Sequence, residues 1–550
     1  RMGLAGNRGR FLSAAGTWLL GWREEAQENL RWSVQGAPLT TWPAYRNRLS
    51  VAARLDEFDS PRCDWARAPV ARLLVWLEAE TTVAPIDATI ATLRDQLYER
   101  WTLTILGTSD DVLINGRLNS WLTKDARLAV QGERMDLDGE DADFVGFVEF
   151  GDRLAPHALA CFIEASERMP DALVLYCDEE TATLDGQAPI FKPDWSARLQ
   201  AAMPYVGRLM LTRLCHARRW IGLANVPFLE TGFVQNILHG LGRRDVRHIG
   251  RFLIQTRRRR RAEQAVTAAA NPRPARAQET SVTIVMVTRD NADFLCRTIT
   301  GILEKTRFAR LDLVIVDNGS TAPRALRLLR SLETDERVTV LRAPEPFNFS
   351  ALNNLGAAKA RGDVLVFLNN DMEIIEPEWL RELAERAIDP QVGAVGCKLL
   401  YPDGRIQHAG VVLGIGEGAG HFDAGRRDGE PGWLGRNLIP HEASAVTGAC
   451  LAVERAKFAA AGGFDDRLPV EYNDIDLCLR LDELGFAALW TPFARVVHFE
   501  SASRGKATFR RLDKHAAERA YFRQRWADRL RDDPFFHTGL SLVSLSAALA

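Results

Sequence analysis

Four short polar stretches in the second half of the chain combine residue types that do chemistry. Asn369-Asn370-Asp371 follows an apolar run and offers carboxylate and amide oxygens to a hard divalent cation, which keeps waters and binds substrate phosphates. Residues of these types also end strands and turns routinely. Asp317-Asn318-Gly319-Ser320 is a good turn sequence whose aspartate can accept hydrogen bonds from a base or ribose. Asn473-Asp474-Ile475-Asp476-Leu477-Cys478-Leu479-Arg480 reads as a helix start, anchored by Ile475, Cys478 and Leu479, with carboxylates in its first turn. Acids there cap the helix, oppose its dipole and stay ionised. An ionised carboxylate held in that way can accept a proton from a substrate hydroxyl. One of Asp474 and Asp476 is expected to cap and the other to act. His498 ends the apolar run from Ala494 to Val497 and precedes Glu500-Ser501-Ala502-Ser503-Arg504-Gly505. That setting favours a strand-end loop, where neutral imidazole completes a metal shell, over a core histidine.

The segments that must position these groups alternate in type. Val282 to Val287, Leu313 to Val316 and Val364 to Leu368 are apolar runs of strand length, and Phe294 to Glu304 has helical spacing. Short continuous apolar strands between helices predict a parallel sheet covered on both faces. In such sheets ligands bind beyond the carboxyl ends of the strands, where Asp, Asn, Thr and Ser lie here.

The first half repeats the pattern without the chemistry. Leu73 to Leu77, a helix through Ile90 to Tyr98, and Leu103 to Leu106 match the segment from Thr283 to Val316. Phe144 to Val148 matches Leu365 to Leu368, Pro204 to Leu211 resembles Val446 to Val453, and Val246 to Leu253 resembles Ala488 to Val497. Gly107 stands where the second copy has Asp317, and Glu149, Phe150 and Gly151 stand for Asn369, Asn370 and Asp371. The counterpart of the Asp474 region, Thr231 to Leu238, has no carboxylate, and Gln255 takes the approximate place of His498. A domain that keeps its core and loses its site residues is expected to serve structure or recognition.

Composition bounds the rest. The 550 residues are 26% charged and 46% hydrophobic, as in ordinary globular proteins. A formal net charge of -2 excludes a global field for nucleic acid or anionic membranes, so any polyanion site is local. The eight cysteines form no C-x-x-C pair, and reduced, buried residues are expected. No stretch approaches the roughly 20 apolar residues of a spanning helix. Arg1, Arg8 and Arg10 before Phe11 to Trp22 faintly resemble a signal peptide, but Ser13, Gly16 and Thr17 break the apolar part. A truncated or processed cytosolic protein is expected, with an interfacial N-terminal helix as the alternative. Five consecutive arginines from Arg257 and the Asn271-Pro272-Arg273-Pro274 stretch mark a linker rather than a nucleic-acid contact.

Seven motifs in one order then carry a family resemblance. They are Val-Asp-Asn-Gly-Ser (316–320), Phe-Asn-Phe-Ser-Ala-Leu-Asn-Asn (347–354), Ala-Arg-Gly-Asp-Val-Leu-Val-Phe-Leu-Asn-Asn-Asp (360–371), Val-Thr-Gly-Ala-Cys (446–450), Gly-Gly-Phe-Asp (462–465), Asn-Asp-Ile-Asp-Leu-Cys-Leu-Arg (473–480) and His-Phe-Glu-Ser-Ala-Ser-Arg-Gly (498–505). The segment resembles family 2 glycosyltransferases of the GT-A fold, in particular the bacterial rhamnosyltransferase-like, O-antigen and surface-polysaccharide members. The first copy resembles them more distantly, and Asp533 to Leu542 is similar to that family's C-terminal extension.

The resemblance implies an α/β protein of two tandem, Rossmann-like, mostly parallel GT-A domains. Its parts would be an N-terminal helical or irregular extension (1–67), a degenerate GT-A-like domain (68–256), a linker (257–280), a catalytic domain (281–510) and a C-terminal helical extension and tail (511–550). It implies donor contacts from Thr288, Arg289, Asp317, Asn354, Arg361, Asn369 and Asn370, with Gly448 and Ala449 beside the sugar and acceptor. Asn369 and Asp371 match the family's D-x-D motif for Mg2+ or Mn2+, His498 would complete that metal site, and Asp474 matches the catalytic base. Asn369 and Asn473 depart from the family's Asp and Glu. The implied reaction is inverting transfer from a nucleotide-diphosphate sugar to a glycan or lipid-linked glycan of the bacterial surface. The implied location is cytoplasmic, with peripheral contact to the inner membrane or to polysaccharide assembly machinery. A dual-site synthase and a noncatalytic glycan-binding scaffold are the alternatives.

Overall fold

Apolar β-branched runs such as Val282–Thr288 and Val364–Leu368 have no polar face to turn to water, so they become central strands. The computed structural model describes residues 16, 39–42, 46, 65, 67–132, 142–183, 186–223, 232–257, 280–499 and 515–549. The first sheet contains β1 (Ala71–Trp76), β2 (Trp101–Leu106), β3 (Leu128–Gln131), β4 (Phe144–Phe147), β5 (Arg153–Leu154), β6 (Val174–Thr183), β7 (Gly186–Ile190), β8 (Met210–Arg213) and β9 (Val246–Thr256). The second contains β10 (Val282–Thr288), β11 (Leu311–Asp317), β12 (Val338–Arg342), β13 (Val364–Leu368), β14 (Met372–Ile374), β15 (Val392–Leu400) and β16 (Ile406–His408). A small separate hairpin of β17 (Val411–Leu413) and β18 (Ala419–His421) follows, before β19 (His441–Ala443), β20 (Cys450–Glu454) and β21 (Ala487–His498) rejoin the second sheet.

The two sheets share one strand order. It runs β3-β2-β1-β4-β8-β6-β9-β5 in the first and β12-β11-β10-β13-β20-β15-β21-β14 in the second. The four leading strands of each are parallel. Beyond them the sheets are mixed, because β8 and β20 run antiparallel to both neighbours. Alternate residues of the second sheet face two cores. Ile284, Val366 and Leu368 pack with Leu295, Trp379 and Leu383 on one face, and Val285, Leu365 and Phe367 with Leu477, Cys478 and Leu481 on the other. The carboxyl ends of β10, β11 and β13 are left between these layers, where a ligand can reach them.

The halves touch through side chains from both. Arg198 pairs with Asp389 at 2.6 Å and Arg243 with Asp482 at 2.6 Å, and Ser196 binds Glu442. The tail packs across the junction: Asp533 holds Ser444 (2.6 Å) and the Leu413 amide (2.7 Å) of the second half, and the Pro534 carbonyl accepts from the Asp194 amide (2.9 Å) of the first. Five of the described cysteines are buried, whereas Cys215 and Cys296 are exposed, unlike the sequence expectation. The expectations for residues 1–67 and the 257–280 linker fall almost entirely outside the described residues. Trp42 and Trp65 are described, and they pack on Phe191 and Tyr98 respectively.

Candidate active site

The turn after β10 and the turn after β11 are tied together. Asp290 and Asn291 adopt left-handed φ values of 56° and 33°, which side chains resist unless held. The hold is local: the Asp290 amide donates to Ser320 Oγ at 2.8 Å, and its carboxylate accepts from the Thr321 and Ala322 amides, each at 2.7 Å. Gly319, at φ 74°, completes the turn that no β-branched residue would tolerate. Thr288 and Asp317 end adjacent strands at one register position, and both are buried. Asp317 accepts from the Ser320 amide at 3.0 Å and pairs with Arg342 of β12, while Arg289 stands exposed beside them.

The next strand end carries the residues expected to meet a cation. The Thr298 hydroxyl, from the helix Ala292–Thr300, accepts from the Met372 amide at 2.9 Å and lies 2.9 Å from the Asn370 carbonyl, so the loop is clamped. Asn370 Nδ2 donates to Thr288 Oγ1 at 2.9 Å, which links the loop to the β10 end. The Asn369 amide donates to the Ala449 carbonyl at 2.9 Å. His498, directly opposite Met372, sets Nε2 3.2 Å from Asp371 Oδ1 and 3.4 Å from Asn369 Nδ2. Its Nδ1 lies 2.8 Å from Gln407 Oε1, an acceptor, so Nδ1 carries a proton and the ring turns Nε2 towards Asp371. Nε2 and the Asp371 carboxylate face each other at 3.2 Å. A hard divalent cation with bonds of about 2.0–2.2 Å takes neighbouring ligand atoms roughly 3 Å apart, and this donor set fits it.

The third part is the helix Asn473–Glu483. Its entry residue Tyr472 has φ 62° and its ring stacks on Phe522 at 4.4 Å, so no side chain caps the helix. The two aspartates part company, and neither caps in the expected way. Asp476 is fully buried and is held by Arg480 (2.7 Å), Trp526 (2.9 Å) and Arg525 (3.2 Å). Asp474 is half-buried and faces the Thr447–Ala449 loop, accepting from the Gly448 amide at 2.6 Å and the Ile475 amide at 2.8 Å. Backbone donors on both oxygens aim the carboxylate.

Thr288, Arg289, Asp317, Asn369, Asn370, Asp371, Gly448, Ala449, Asp474 and His498 are thus brought to one edge of the sheet. Two residues of the sequence expectation are not. The Arg361 amide binds Thr283 Oγ1 at the amino end of β13, a full strand of about 17 Å from Asn369, because the chain enters the strand there. Asn354 is a strut: its side chain donates to the Phe464 carbonyl (2.9 Å) and accepts from the Phe464 amide (2.9 Å). Sequence reading missed Arg342 and Gln407. The signal for Gln407 was a polar pair, Gln407-His408, within the apolar run Ile406 to Val412.

Among the described residues, one group of three His, Cys, Asp or Glu side chains has ligand atoms within 4.8 Å of one another: Asp178, His248 and His537. Its hydrogen bonds are complete. The Gly539 amide donates to His537 Nδ1 at 2.8 Å, so His537 Nε2 carries the proton that it donates to Asp178 Oδ2 at 2.8 Å. His248 Nε2 and the Lys192 amide reach Asp178 Oδ1 at 3.0 and 2.9 Å. With no lone pair on His537 Nε2 to give an ion, the group is a clasp between tail and first sheet. Burial alone would raise Asp178, yet the two histidines overcome it and hold the carboxyl below its ordinary range. Burial likewise opposes charge on His248, but Asp178 raises it to about 9.

Residues 283–432 match the family described as Glycosyl transferase family 2. A relative from Sinorhizobium fredii, named "Uncharacterized protein y4gI", is 32% identical over 82% of this chain and 56% of its own length. The "O-antigen biosynthesis protein RfbC" of Myxococcus xanthus is 33% identical over 74% of this chain and 34% of its own length. The chain therefore spans about half of the first relative and a third of the second. Among solved structures, a mannosyltransferase of Pyrobaculum calidifontis, in complex with GDP-Man and Mn2+, aligns with a TM-score of 0.33 and 18% identity over 46% of this chain and 65% of that one.

Proposed function

The chain belongs, through its second half, to the family 2 glycosyltransferases, and on that premise we propose that it moves a sugar from a nucleotide-diphosphate donor to a hydroxyl of a growing bacterial surface glycan, with inversion. The name of the Myxococcus relative supports the acceptor class. A peripheral encounter with a lipid-linked acceptor belongs to the same proposal, since no helix among the described residues is long and apolar enough to cross a membrane.

The observation that carries the reading is the separation of Asp474 from Asp476. Only Asp474 meets the loop beside the strand ends with backbone amides on both oxygens. In the proposed step the acceptor oxygen bonds to the anomeric carbon, the bond from that carbon to the diphosphate oxygen breaks with its electron pair, and Asp474 takes the acceptor proton. Thr288, Asp317 and Arg342 bind the nucleoside. Gly448 and Ala449 present small surfaces to the sugar, and the Gly448 amide fixes the base. Asp371, His498 and Asn369 would hold Mg2+ or Mn2+, whose contribution when bound is to neutralise charge on the departing diphosphate.

Asp474→Asn keeps the shape and removes the base, so turnover is expected to fall about 10³-fold, within the range for a general base, while Mn2+ affinity stays unchanged. Steady-state kinetics with nucleotide sugars, beside a Mn2+ titration, checks both. Near-normal turnover would remove Asp474 from the role.

A further inference from the structure

The three-residue strand β16 touches both halves of the site. Successive strand residues point to opposite faces, and here each face meets a different functional group. Gln407 accepts from His498 Nδ1 at 2.8 Å, which fixes the ring with Nε2 towards Asp371. His408 turns the other way. Its Nε2 accepts from the Thr447 amide at 3.4 Å, one residue before the Gly448 amide that holds Asp474. Because Nε2 is an acceptor, Nδ1 carries the proton and donates to His421 Nδ1 at 2.8 Å. Burial first, then His421 and His441, push His408 well below its ordinary range and keep it neutral.

The approach of this strand depends on Gly396. A Cβ there would lie 2.5 Å from Val446 and 3.3 Å from His408 Nε2. The first sheet supplies the contrast. Strand pairing puts Tyr176 at the position of Gly396, since Tyr176 faces Met210 as Gly396 faces Leu451. It also puts Ile190 at the position of His408, since Ile190 faces Glu179 as His408 faces Leu399. The copy without the site residues therefore lacks the His408 contact, while Gln187 of β7 still reaches Gln255 at 3.2 Å.

We propose that Gln407 and His408 are positioning residues of the transfer reaction: Gln407 orients the cation-binding histidine, and His408 holds the loop that aims the base. The proposal rests on the glycosyltransferase reading, and it separates two kinetic effects that a merely structural strand would mix.

The test uses the full chain, Mn2+ as the probe with affinity read from its paramagnetic resonance, and amide hydrogen exchange. Gln407→Leu is expected to weaken Mn2+ binding about 10- to 100-fold, the range for losing a partner behind a metal ligand, and Gln407→Glu, which restores the acceptor, to recover most of it. His408→Phe is expected to leave Mn2+ affinity unchanged, lower kcat more than donor KM, and speed exchange at the Thr447 and Gly448 amides about 10-fold. His408→Gln, able to accept again, should restore that protection. Unchanged Mn2+ affinity in Gln407→Leu while Asp371→Ala abolishes binding overturns the role of Gln407 and leaves the glycosyltransferase reading standing. Unchanged exchange in His408→Phe does the same for His408. A wild-type chain that binds no Mn2+ overturns both readings together.

Discussion

At the carboxyl ends of their strands the two sheets solve opposite electrostatic problems. The second leaves a carboxylate, an imidazole nitrogen and an amide converging at 3.2 to 3.4 Å. The first has more acid there, with Glu149, Asp152 and Glu179, but supplies the cation from its own chain. Strand pairing identifies it. Gly146 faces Leu211 as Val366 faces Ala452, so counting back along each strand puts Arg208 at the position of Ala449. The buried Arg208 pairs with Glu149 and lies 2.7 Å from Asp152, and Lys192 lies 3.7 Å from Glu179. The scaffold around this change is retained. Thr89 clamps the strand-end loop at the Gly151 amide (2.8 Å) much as Thr298 does at Met372, and Gln255 faces Arg153 as His498 faces Met372. A small residue above the strand ends leaves them uncovered, as the proposed cation and diphosphate site requires. An arginine there fills the room and neutralises the acids permanently. The lesson is that loss of a site need not mean loss of its acids.

That comparison can be broken at its sharpest point. Arg208→Ala leaves Asp152 and Glu149 without their cation in a buried site, and breaking such a pair costs roughly 3–5 kcal/mol. A large drop in thermal or urea stability is expected, with turnover per folded molecule unchanged. A mutant of normal stability would show that Arg208 is not the balancing charge, and one that folds but is inactive would show that the first copy takes part in the reaction.

A smaller effect concerns the tail that joins the copies. His248 is raised from 6.5 to about 9 in the folded chain. A raised histidine stabilises fully below its unfolded value, so the clasp contribution is complete below about pH 6.5 and is lost as pH climbs through about 9, a change of about 3 kcal/mol. Asp178, held below its ordinary value, contributes above about pH 4 and loses its contribution on further acidification. Thermal melts from pH 6 to 9.5 should fall in the wild type and flatten in His248→Gln. A wild-type curve as flat as the mutant's would show that the Asp178 clasp stores no folding energy.

Much of this was legible in the sequence where local pattern decides. Val364–Leu368 is a strand in both the sequence reading and the structure because five apolar residues have nowhere else to go. Repeated strands betrayed the duplication, and the residue types at Asp317, Asn369–Asp371, Asp474 and His498 named a chemistry. What stayed hidden depends on strand pairing between distant segments. Arg361 is near β13 in sequence but enters at the wrong end. Arg208 acquires meaning only once β4 and β8 are paired. Gln407 reaches His498 across 91 residues of sequence, a contact no local spacing announces. The choice between Asp474 and Asp476 required Trp526, from the C-terminal helix region, to take up one of them.

The central claim is one working site in two copies of one architecture, and the count of Mn2+ bound per chain tests it most directly. Titrated with Mn2+ in the presence of UDP, TDP and GDP in turn, the full chain should bind one Mn2+ per chain with the matching nucleotide. Asp371→Ala should abolish that binding, and Asp152→Asn should leave it intact wherever the variant folds. Two ions per chain, or binding that survives Asp371→Ala and disappears in a folded Asp152→Asn variant, would contradict the account.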